Sequence, residues 1–372
     1  MAANRIDPAF WAGRRVFLTG HTGFKGSWLG IWLDMLGAQT TGYALPPERA
    51  EDMFAHLQLE RALAGSLDHR IGDIGDFETL QEALRAARPE IVIHMAAQPL
   101  VRRSYREPLA TFATNVMGTA HLLEAARHVP GIQAILLVTT DKCYENLEHE
   151  LPYKEGDHLG GHDPYSASKA GSEIVGAAYR RSFLAEQGVM VATARAGNVI
   201  GGGDWSEDRL IPDAVRAWRD GETLVIRSPS ATRPWQHVIE PLRGYLMLAE
   251  ALCGAGGAAA AEAWNFGPQL DAVQPVRHVI EKMANRWGPM AAEMRRQGGE
   301  ARWRAENELP ALHEAQRLQL DCTKAADKLG WTPRLSLDQA LDLTTDWYLR
   351  AAQETAGDAL LALTRAQISN NS

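Results

Sequence analysis

A glycine-rich turn near the N-terminus constrains the fold of this chain more than any other feature. Gly20, Gly23 and Gly26 recur at every third position, after the apolar run 15–19 and before residues with helical spacing. A turn of this kind between a strand and a helix lets the backbone approach a diphosphate, which the free N–H groups of the helix N-terminus bind. A tight turn that serves only packing is the alternative. The predicted cofactor contacts here are Gly20, Thr22, Gly23, Phe24 and Gly26.

Apolar runs and helical stretches alternate along the N-terminal half of the chain. Runs typical of buried parallel strands are followed by spacing typical of helices. The predicted strands are 15–19, 39–45, one ending at 70–73, 91–95, 134–138 and 190–194. The predicted helices start at Phe24 and include 57–63, 77–87 and 114–129. This alternation predicts the α/β class, with a Rossmann-type doubly wound parallel sheet.

The regular alternation of strands and helices ends after Gly197, and we expect a second domain to begin there. Short strands follow an irregular glycine-rich loop, and the chain from Val273 onward has mostly helical spacing. We predict a cofactor-binding domain over 1–197, with a returning segment near 236–267, and a smaller, mostly C-terminal substrate-binding domain over 198–372. The last dozen residues look polar and unpatterned, so we expect them to fray.

Composition excludes several classes of protein. A formal net charge of -8 argues against a general nucleic-acid binder, so any phosphate site must be local. Cys143, Cys253 and Cys322 are scattered, and neither they nor the histidines show metal-ligand spacing. We therefore expect no metal, no disulfide and a reducing cytoplasm. We find neither a secretory signal nor an apolar run long enough to span a bilayer, so we expect no membrane association.

The ends of the second, third and fourth strands bear on the cofactor. An acid after the second strand commonly holds the ribose of NAD, but the strand end 42–46 has no acid and no arginine stands directly after Tyr43, so this position does not separate NAD from NADP. Asp73 after the third strand either meets the adenine or caps a helix. Ala96 and Ala97 after the fourth strand leave room for a flat cofactor or serve close packing. We predict Asp73, Ala96 and Ala97 as cofactor contacts.

Groups that handle protons cluster after the fifth strand and on the helix that follows. Thr140, Asp141 and Lys142 stand at the strand end, where open sheets place their chemistry; a surface ion pair is the simpler interpretation of the last two. Tyr165 and Lys169 lie four positions apart, on one helical face. We expect the ammonium to lower the pKa of the phenol and make it a base. All five are predicted catalytic residues, and Tyr165 and Lys169 are also predicted cofactor contacts.

Several polar residues are candidates for the substrate site or its support. Arg233 either clamps a diphosphate or marks a surface turn, and Arg102 either contacts phosphate or sugar or belongs to a solvated basic pair with its neighbour. Asn115, polar within an apolar helix, is expected to bond backbone near the site. His237 is expected to be structural. The predicted substrate contacts are Gln98, Arg102, Asn198 and Arg233.

Several motifs together resemble one family over essentially the whole chain. The motifs are Gly20-His21-Thr22-Gly23-Phe24-Lys25-Gly26, His94-Met95-Ala96-Ala97-Gln98, Thr140-Asp141-Lys142-Cys143-Tyr144, Tyr165-x-x-x-Lys169, Gly203-Asp204-Trp205 and Leu329-Gly330-Trp331-x-Pro333. With these motifs the chain resembles the CDP-glucose 4,6-dehydratases of the extended short-chain dehydrogenase/reductase superfamily. The glycine turn and the Asp-Lys pair are fairly specific, whereas Tyr-x-x-x-Lys is shared by the superfamily.

The resemblance implies a nucleotide-sugar hydro-lyase with bound NAD and CDP-glucose as substrate. C4 of the glucosyl unit is oxidised while Tyr165 takes the hydroxyl proton, water leaves from C5 and C6, and reduction at C6 gives CDP-4-keto-6-deoxyglucose for deoxysugar biosynthesis. It assigns Lys169 to the nicotinamide ribose, Thr140 to O4 and Asp141 to the departing C6 hydroxyl. Sister dehydratases carry Asp-Glu at the Asp-Lys pair, so Lys142 is the candidate base at C5 and needs a lowered pKa.

Other functions stay open at this point. A nucleotide-sugar 4-epimerase would share the cofactor and Tyr165 but needs no further acid and base, and a 4,6-dehydratase for another nucleotide would look alike. A non-catalytic protein that senses NAD is a remote alternative, because such proteins often lose the tyrosine or the lysine. Superfamily members often dimerise through four helices. We therefore expect a homodimer or homotetramer that uses 114–129 and 167–184.

Overall fold

A computed structural model describes residues 4–293, 301–306, 318–352 and 357–371. Seven strands form one sheet in the order β11-β6-β5-β4-β1-β2-β3, and all its neighbouring pairs are parallel. The chain order reverses between β1 and β4, which creates the crevice where doubly wound sheets bind ligands. This confirms the predicted fold class. The strands are β1 Arg15–Thr19, β2 Gln39–Ala44, β3 Leu67–Ile71, β4 Ile91–His94, β5 Ala134–Val138, β6 Met190–Arg195, β7 Val199–Ile200, β8 Thr223–Ile226, β9 Thr232–Pro234, β10 Gln236–His237, β11 Ala263–Asn265, β12 Val273–Pro275 and β13 Arg302–Ala305.

Helices connect these strands. The helices are α1 Pro8–Trp11, α2 Phe24–Met35, α3 Met53–His56, α4 Leu59–Ala62, α5 Phe77–Ala87, α6 Val101–Arg106, α7 Pro108–Phe112, α8 Gly118–Arg127, α9 Pro164–Tyr179, α10 Leu210–Arg219, α11 Ile239–Cys253, α12 Gly257–Ala260, α13 Val276–Glu293, α14 Leu337–Ala351 and α15 Gly357–Asn371. Turns of π-helix lie at Ala113–Met117, Arg180–Leu184 and Ala325–Leu329, and 3₁₀ turns at Asp141–Cys143 and Leu270–Ala272. Among the helices described, none has the length and apolarity needed to cross a membrane.

Alternate residues of the central strands pack into two separate hydrophobic clusters. In β1, Val16 and Leu18 belong to one cluster, whereas Phe17 belongs to the other. In β4, Ile93 belongs to the first of these clusters and Val92 to the second. Both faces of the sheet are therefore covered, which explains why its central strands are almost continuously apolar.

Two of the predicted helices and the fraying expected at the C-terminus differ from the structure. The helix expected over 57–63 is shorter, since the structure has α4 at Leu59–Ala62 and a separate short helix, α3, that ends before this range at His56. The helix expected over 114–129 contains the π turn Ala113–Met117 and continues as α8. The fraying expected at the C-terminus is wrong, because α15 runs to Asn371 and buries Leu360, Leu361 and Ile368.

The second lobe is built from small sheets and returns to the first. Strand β9 pairs with β12, β8 with β13, and β10 with β7. Helix α11 then contacts β5 and β6, and β11 pairs in parallel with β6 at the edge of the large sheet. The chain therefore crosses between the two lobes more than once. The predicted division at residue 197 stays a prediction.

Candidate active site

A cavity of about 930 Å³ opens at the carboxyl edge of the central sheet. Turns after β1, β4, β5 and β6 form its walls, together with the start of α9 and the second lobe around β8 and β9. The volume is near the upper end of the roughly 300–1,000 Å³ typical of ligand clefts. The predicted site residues that line the cavity are Gly20, Thr22, Gly23, Phe24, Gly26, Asp73, Ala96, Ala97, Arg102, Thr140, Asp141, Lys142, Tyr165, Lys169, Asn198 and Arg233.

Close backbone contacts shape the glycine turn. Gly20 has φ +74°, and a Cβ there would lie 2.7 Å from the nitrogen of Ala96, so a side chain would push apart the ends of β1 and β4. A Cβ at Gly26 would lie 2.1 Å from the carbonyl oxygen of Gly20. Gly23, in contrast, is exposed to the cavity, where a ligand can approach its backbone.

Helix α2 begins at Phe24 and directs its N-terminus at the cavity. Gly23 is the N-cap residue, and none of the described side chains caps the first turn. The N–H groups of a first helical turn have no partner within the helix and carry the positive end of its dipole. The turn therefore fits the diphosphate of a dinucleotide.

Polar contacts hold the ends of β1 and β4 beside this turn. The Thr19 hydroxyl accepts the N–H groups of Met95 and Ala96 at 3.0 and 3.1 Å, so its own proton goes to Nδ1 of His94 at 2.8 Å. Burial, with a smaller contribution from Lys169, lowers the pKa of His94 to about 3, and the ring is neutral. The backbone of Ala96 is thus fixed against the glycine turn.

Asp73 has a different local role from the helix cap considered above. Its Oδ1 accepts the N–H of Gly75 at 2.8 Å, while Asp76 caps helix α5. The helix-cap alternative for Asp73 is therefore wrong, and contact with the adenine stays a prediction. The Thr22 hydroxyl donates to the carbonyl of Leu45 at 2.8 Å, which ties the glycine turn to the end of β2.

Helix α9 presents Tyr165 and Lys169 to the cavity from its first turns. Asp163 caps the helix by accepting the N–H of Ser166, and a proline occupies the first turn, where its missing N–H costs nothing. Nζ of Lys169 donates to the carbonyl of Val138 at 3.3 Å. This bond fixes α9 against the end of β5.

The expected lowering of the Tyr165 pKa by Lys169 is wrong. Burial raises the pKa of Tyr165 to about 12, and the hydrogen bond with the Thr140 side chain and the charge of Arg209 lower it only in part. Burial also lowers the pKa of Lys169 to about 8, which Glu173 opposes. Loss of water around the phenol outweighs the neighbouring charge, and helical spacing alone does not reveal burial.

The Asp141 carboxylate is enclosed by the ends of β5 and β6. The Thr140 hydroxyl donates to its Oδ1 at 2.9 Å and accepts the N–H of Lys142 at 3.3 Å. Nδ2 of Asn198 donates to Oδ2 at 3.4 Å, and Asn198 has φ +48° in the left-handed region. A Cβ at Gly197 would lie 1.8 Å from Oδ2, so this position has room only for glycine.

A buried ion pair lies behind these groups. Glu173, one turn beyond Lys169 on α9, accepts from Arg195 at 2.8 Å, and both side chains are almost fully buried. Glu173 also accepts from the hydroxyls of Thr139 and Thr193, on the segments of β5 and β6. The pair thus joins β5 and α9, whose ends carry the predicted catalytic residues, to β6 and fixes the relative positions of the three elements.

The arginines predicted to meet substrate lie in the cavity with different partners. Arg233 is buried, and its Nη1 donates to the carbonyl of Thr232 at 2.8 Å. Nε of Arg102 is 3.9 Å from Asp208, whereas Arg103 forms ion pairs with acids of its own surroundings. Their contacts with substrate stay predictions.

Gln98 is a correction to the predicted substrate contacts. It does not line the cavity; its Nε2 donates to Leu100 and Thr111, and its Oε1 accepts the N–H of Leu100. Because its amide is used in shaping its own loop, a role in substrate binding is not supported. The prediction for Asn115 is confirmed, since its amide bonds both backbone groups of Gln98 and the hydroxyl of Ser168. His237 is buried against Trp28, as its expected structural role requires.

Two charged residues of the cavity, Lys25 and Arg209, were not predicted as site residues from the sequence. Lys25 is the second residue of α2. Burial lowers its pKa to about 7, with smaller contributions from the charges of Arg209 and Lys169. Arg209 pairs with Asp204 at 2.9 Å and lies near enough to Tyr165 to affect its pKa. A lysine in the first turn of a helix is repelled by the positive end of the helix dipole. The position of Lys25 in the sequence therefore already indicated a functional role.

Comparison with known proteins identifies relatives of the whole chain. Residues 17–344 match the family model described as GDP-mannose 4,6 dehydratase. The CDP-glucose 4,6-dehydratase of Salmonella typhimurium is 44% identical over 370 residues, which span 98% of each chain.

Solved structures share the same fold. A dTDP-glucose 4,6-dehydratase from Streptomyces venezuelae, solved with NAD bound, aligns with a TM-score of 0.70 and 26% identity over 90% of this chain and 96% of that one. The UDP-glucose 4-epimerase of Thermotoga maritima aligns with a TM-score of 0.72 and 23% identity, over 91% and 99% of the two chains. At this lower identity the likeness to the epimerase concerns the fold alone.

Proposed function

We propose that this chain, which belongs to the GDP-mannose 4,6 dehydratase family, is an NAD-dependent hydro-lyase acting on a nucleotide sugar. It converts CDP-glucose to CDP-4-keto-6-deoxyglucose and water. The observation that carries this proposal is the 44% identity, along both full lengths, to a CDP-glucose 4,6-dehydratase. The meeting of Thr140, Asp141, Lys142, Tyr165 and Lys169 in one cavity gives it a chemical basis.

The cofactor is held by the turn and strand ends already described. The α2 N-terminus would take the diphosphate, the backbone near Ala96 and Ala97 would provide a flat surface, and Asp73 would contact the adenine. When bound, NAD supplies the two-electron acceptor that takes the C4 hydrogen and returns it at C6. Lys169 would contact the nicotinamide ribose from helix α9.

The proton steps fall to side chains of the chain itself. Tyr165 takes the proton of the C4 hydroxyl, while Thr140 positions O4. Lys142 removes the C5 proton, which the new ketone acidifies, and Asp141 protonates the departing C6 hydroxyl. The pairing of an acid with a base beyond Tyr165 favours elimination, since a 4-epimerase needs neither.

The fate of the C4 hydrogen tests this function. Because oxidation and reduction occur within one substrate molecule, deuterium placed at C4 of CDP-glucose is expected in the methyl group of the product. No added oxidant should be required. The position of the label can be read by NMR of the product. Recovery of CDP-galactose would indicate the epimerase, and stoichiometric release of NADH would indicate an ordinary dehydrogenase.

Arg233 is proposed to grip the substrate diphosphate. Arg233→Ala is expected to raise KM for CDP-glucose about 10-fold or more with little change in kcat, because a contact made equally in ground and transition states affects binding alone. Steady-state kinetics of the variant provide the measurement. Arg219→Ala, at a surface residue paired with Asp220, is the matched control. An unchanged KM in Arg233→Ala would place the clamp elsewhere.

We propose that the chain forms a homodimer through helices α7 to α9. Leu109, Met117 and Ile174 are 84%, 51% and 59% exposed on these mutually packed segments, an unusual density of exposed large apolar side chains. Two copies would combine them into a four-helix interface, and pairing of such dimers gives a tetramer.

The three cysteines are free thiols, which suits the cytoplasm as the site of the reaction.

Ile174→Glu is expected to convert the dimer to a monomer, because it places a charge in a buried apolar contact. Light scattering after size-exclusion chromatography measures the mass of each species. Val225→Glu, at an exposed apolar residue of β8, is the control. A monomeric parent protein, or a dimer that survives Ile174→Glu, would contradict this interface.

A further inference from the structure

An acid and an arginine form a hydrogen-bonded pair in the cavity wall that the second lobe provides. Nη1 of Arg227 donates to Oδ1 of Asp208 at 2.9 Å, and both residues line the cavity. Asp208 lies between β7 and α10, and Arg227 directly follows β8. Their side chains are 30% and 27% exposed for the arginine and the acid, so a ligand in the cavity can reach both. A pair as exposed as this adds little to the stability of the fold and is better placed to bind a ligand.

Both groups keep hydrogen-bonding capacity for such a ligand. The Arg227 guanidinium has five N–H groups, of which the bond to Asp208 uses one, and none of the residues that the structure describes accepts from the others. The Asp208 carboxylate has acceptor positions left as well, because Arg102 and Arg106 approach it only to ion-pair distances of 3.9 and 4.0 Å. The pair therefore presents acceptors and donors side by side.

The pair lies where the nucleoside end of a nucleotide sugar would lie. The hexose must reach Tyr165 at the sheet edge, and the cofactor would take the side of the cavity formed by the glycine turn. Arg233, proposed above to grip the diphosphate, lies on β9, across the short β8–β9 connection from Arg227. A nucleoside that extends beyond this diphosphate therefore meets the wall formed by β8 and the loop that carries Asp208.

We propose that Asp208 and Arg227 read the base of the nucleotide sugar and select cytosine. This inference rests on the proposed function and deepens it. The pairing edge of cytosine presents an amino donor at N4 next to acceptors at N3 and O2. Asp208 would accept from N4, as acidic side chains that read cytosine do. The remaining N–H groups of Arg227 would donate to N3 and O2.

The same pair disfavours uracil, thymine and guanine. Uracil and thymine carry a carbonyl oxygen at C4 and a proton on N3, so an acceptor would face Asp208 and a donor would face Arg227. Guanine presents a carbonyl oxygen at C6 and a proton on N1 in the same order. Polar groups that face a like partner lose the hydrogen bonds that they made with water, and this loss gives specificity.

Binding of CDP and UDP, without a sugar, tests the pair directly. Isothermal titration calorimetry gives the Kd of each nucleotide, and the unsubstituted protein is expected to bind CDP about 10-fold or more tighter than UDP, the order of discrimination of a good base contact. Asp208→Asn is expected to bind the two about equally, because an amide can turn either its oxygen or its NH₂ group to the base. Asparagine also tolerates the left-handed backbone of residue 208, where φ is +58°. Arg227→Gln is expected to lose the preference for the same reason.

Glu207→Gln is the matched control. It removes one negative charge from the neighbouring residue, which lines the same cavity and pairs with Arg106 at 2.6 Å. Loss of a charge near a diphosphate changes the affinity for CDP and UDP together, so the ratio of the two Kd values should change by no more than about twofold. If Asp208→Asn also changed both affinities equally and kept the preference for CDP, Asp208 would only shape the loop or repel phosphate, and base reading by this pair would be wrong.

Turnover separates failure of this inference from failure of the proposed function. If the unsubstituted protein converts CDP-glucose, but the preference for CDP survives in both Asp208→Asn and Arg227→Gln, the function stands and the pair does not read the base. If the protein prefers CDP and the two variants lose this preference, but CDP-glucose is not converted, the pair reads cytosine and the proposed reaction is wrong.

Discussion

Tyr165→Phe is expected to reduce turnover of CDP-glucose by about 10²–10⁴-fold, the usual contribution of a positioned general base. The substitution removes only the phenol oxygen and leaves the ring that packs in the first turn of α9. Cofactor binding is therefore expected to remain, because the glycine turn and the α2 N-terminus are untouched. Turnover measured with equal amounts of folded, cofactor-loaded protein is the test.

Tyr179→Phe is the matched control for this variant. Tyr179 ends the same helix but does not line the cavity, and its hydroxyl acts on Glu124. Its loss is expected to change turnover by no more than about twofold, the scale of a surface substitution. If Tyr165→Phe turned over CDP-glucose as fast as this control, Tyr165 would have no part in proton transfer.

Lys142→Met is expected to stop the reaction after C4 oxidation, with a loss of turnover of about 10²–10⁴-fold. Lys142 lines the cavity on the 3₁₀ turn directly after Asp141, beside the acid proposed for the C6 hydroxyl. Methionine keeps the length and apolar stem of lysine but cannot accept a proton. The oxidised substrate and reduced cofactor should then accumulate on the protein.

Exchange at C5 identifies the base directly. In heavy water, the parent is expected to incorporate deuterium at C5, and Lys142→Met to lose this exchange. Lys154→Met, at an exposed lysine 3.9 Å from Asp321, is the control. Exchange at the parent rate in Lys142→Met would assign the C5 proton to a different residue and leave Lys142 a role in steering substrate.

The sequence predicted the location of the site because the central strands are apolar and parallel. Such strands end at one edge of the sheet, so Gly20, Ala96, Thr140 and Asn198 had to converge there. The family resemblance is confirmed by the comparisons. What residue spacing could not supply was burial, since it comes from segments distant in the chain. The pKa of Tyr165 was therefore predicted in the wrong direction.

Other differences between the predictions and the structure arise where a residue could make more than one set of contacts and the sequence does not show which one forms. Asp73 and Asp76 are both suitable helix caps three residues apart, and only the path of the chain assigns the cap to Asp76. Gln98 could have reached the substrate, but Asn115, Leu100 and Thr111 hold its loop and its amide. Alanines and polar residues alternate with the few large apolar residues of α15, so the sequence pattern did not indicate a helix there. In the structure α15 packs against α2.

The late return of β11 to the sheet has a consequence for synthesis of the protein. During translation, β6 emerges some seventy residues before the strand that covers its edge, and α15, which packs against α2, emerges later than both. The nascent chain that ends between β6 and β11 therefore presents an open, apolar strand edge, where another growing chain can pair. A fragment that ends before β11 would keep that edge permanently, and its aggregation in a cell-free expression system is the expected outcome.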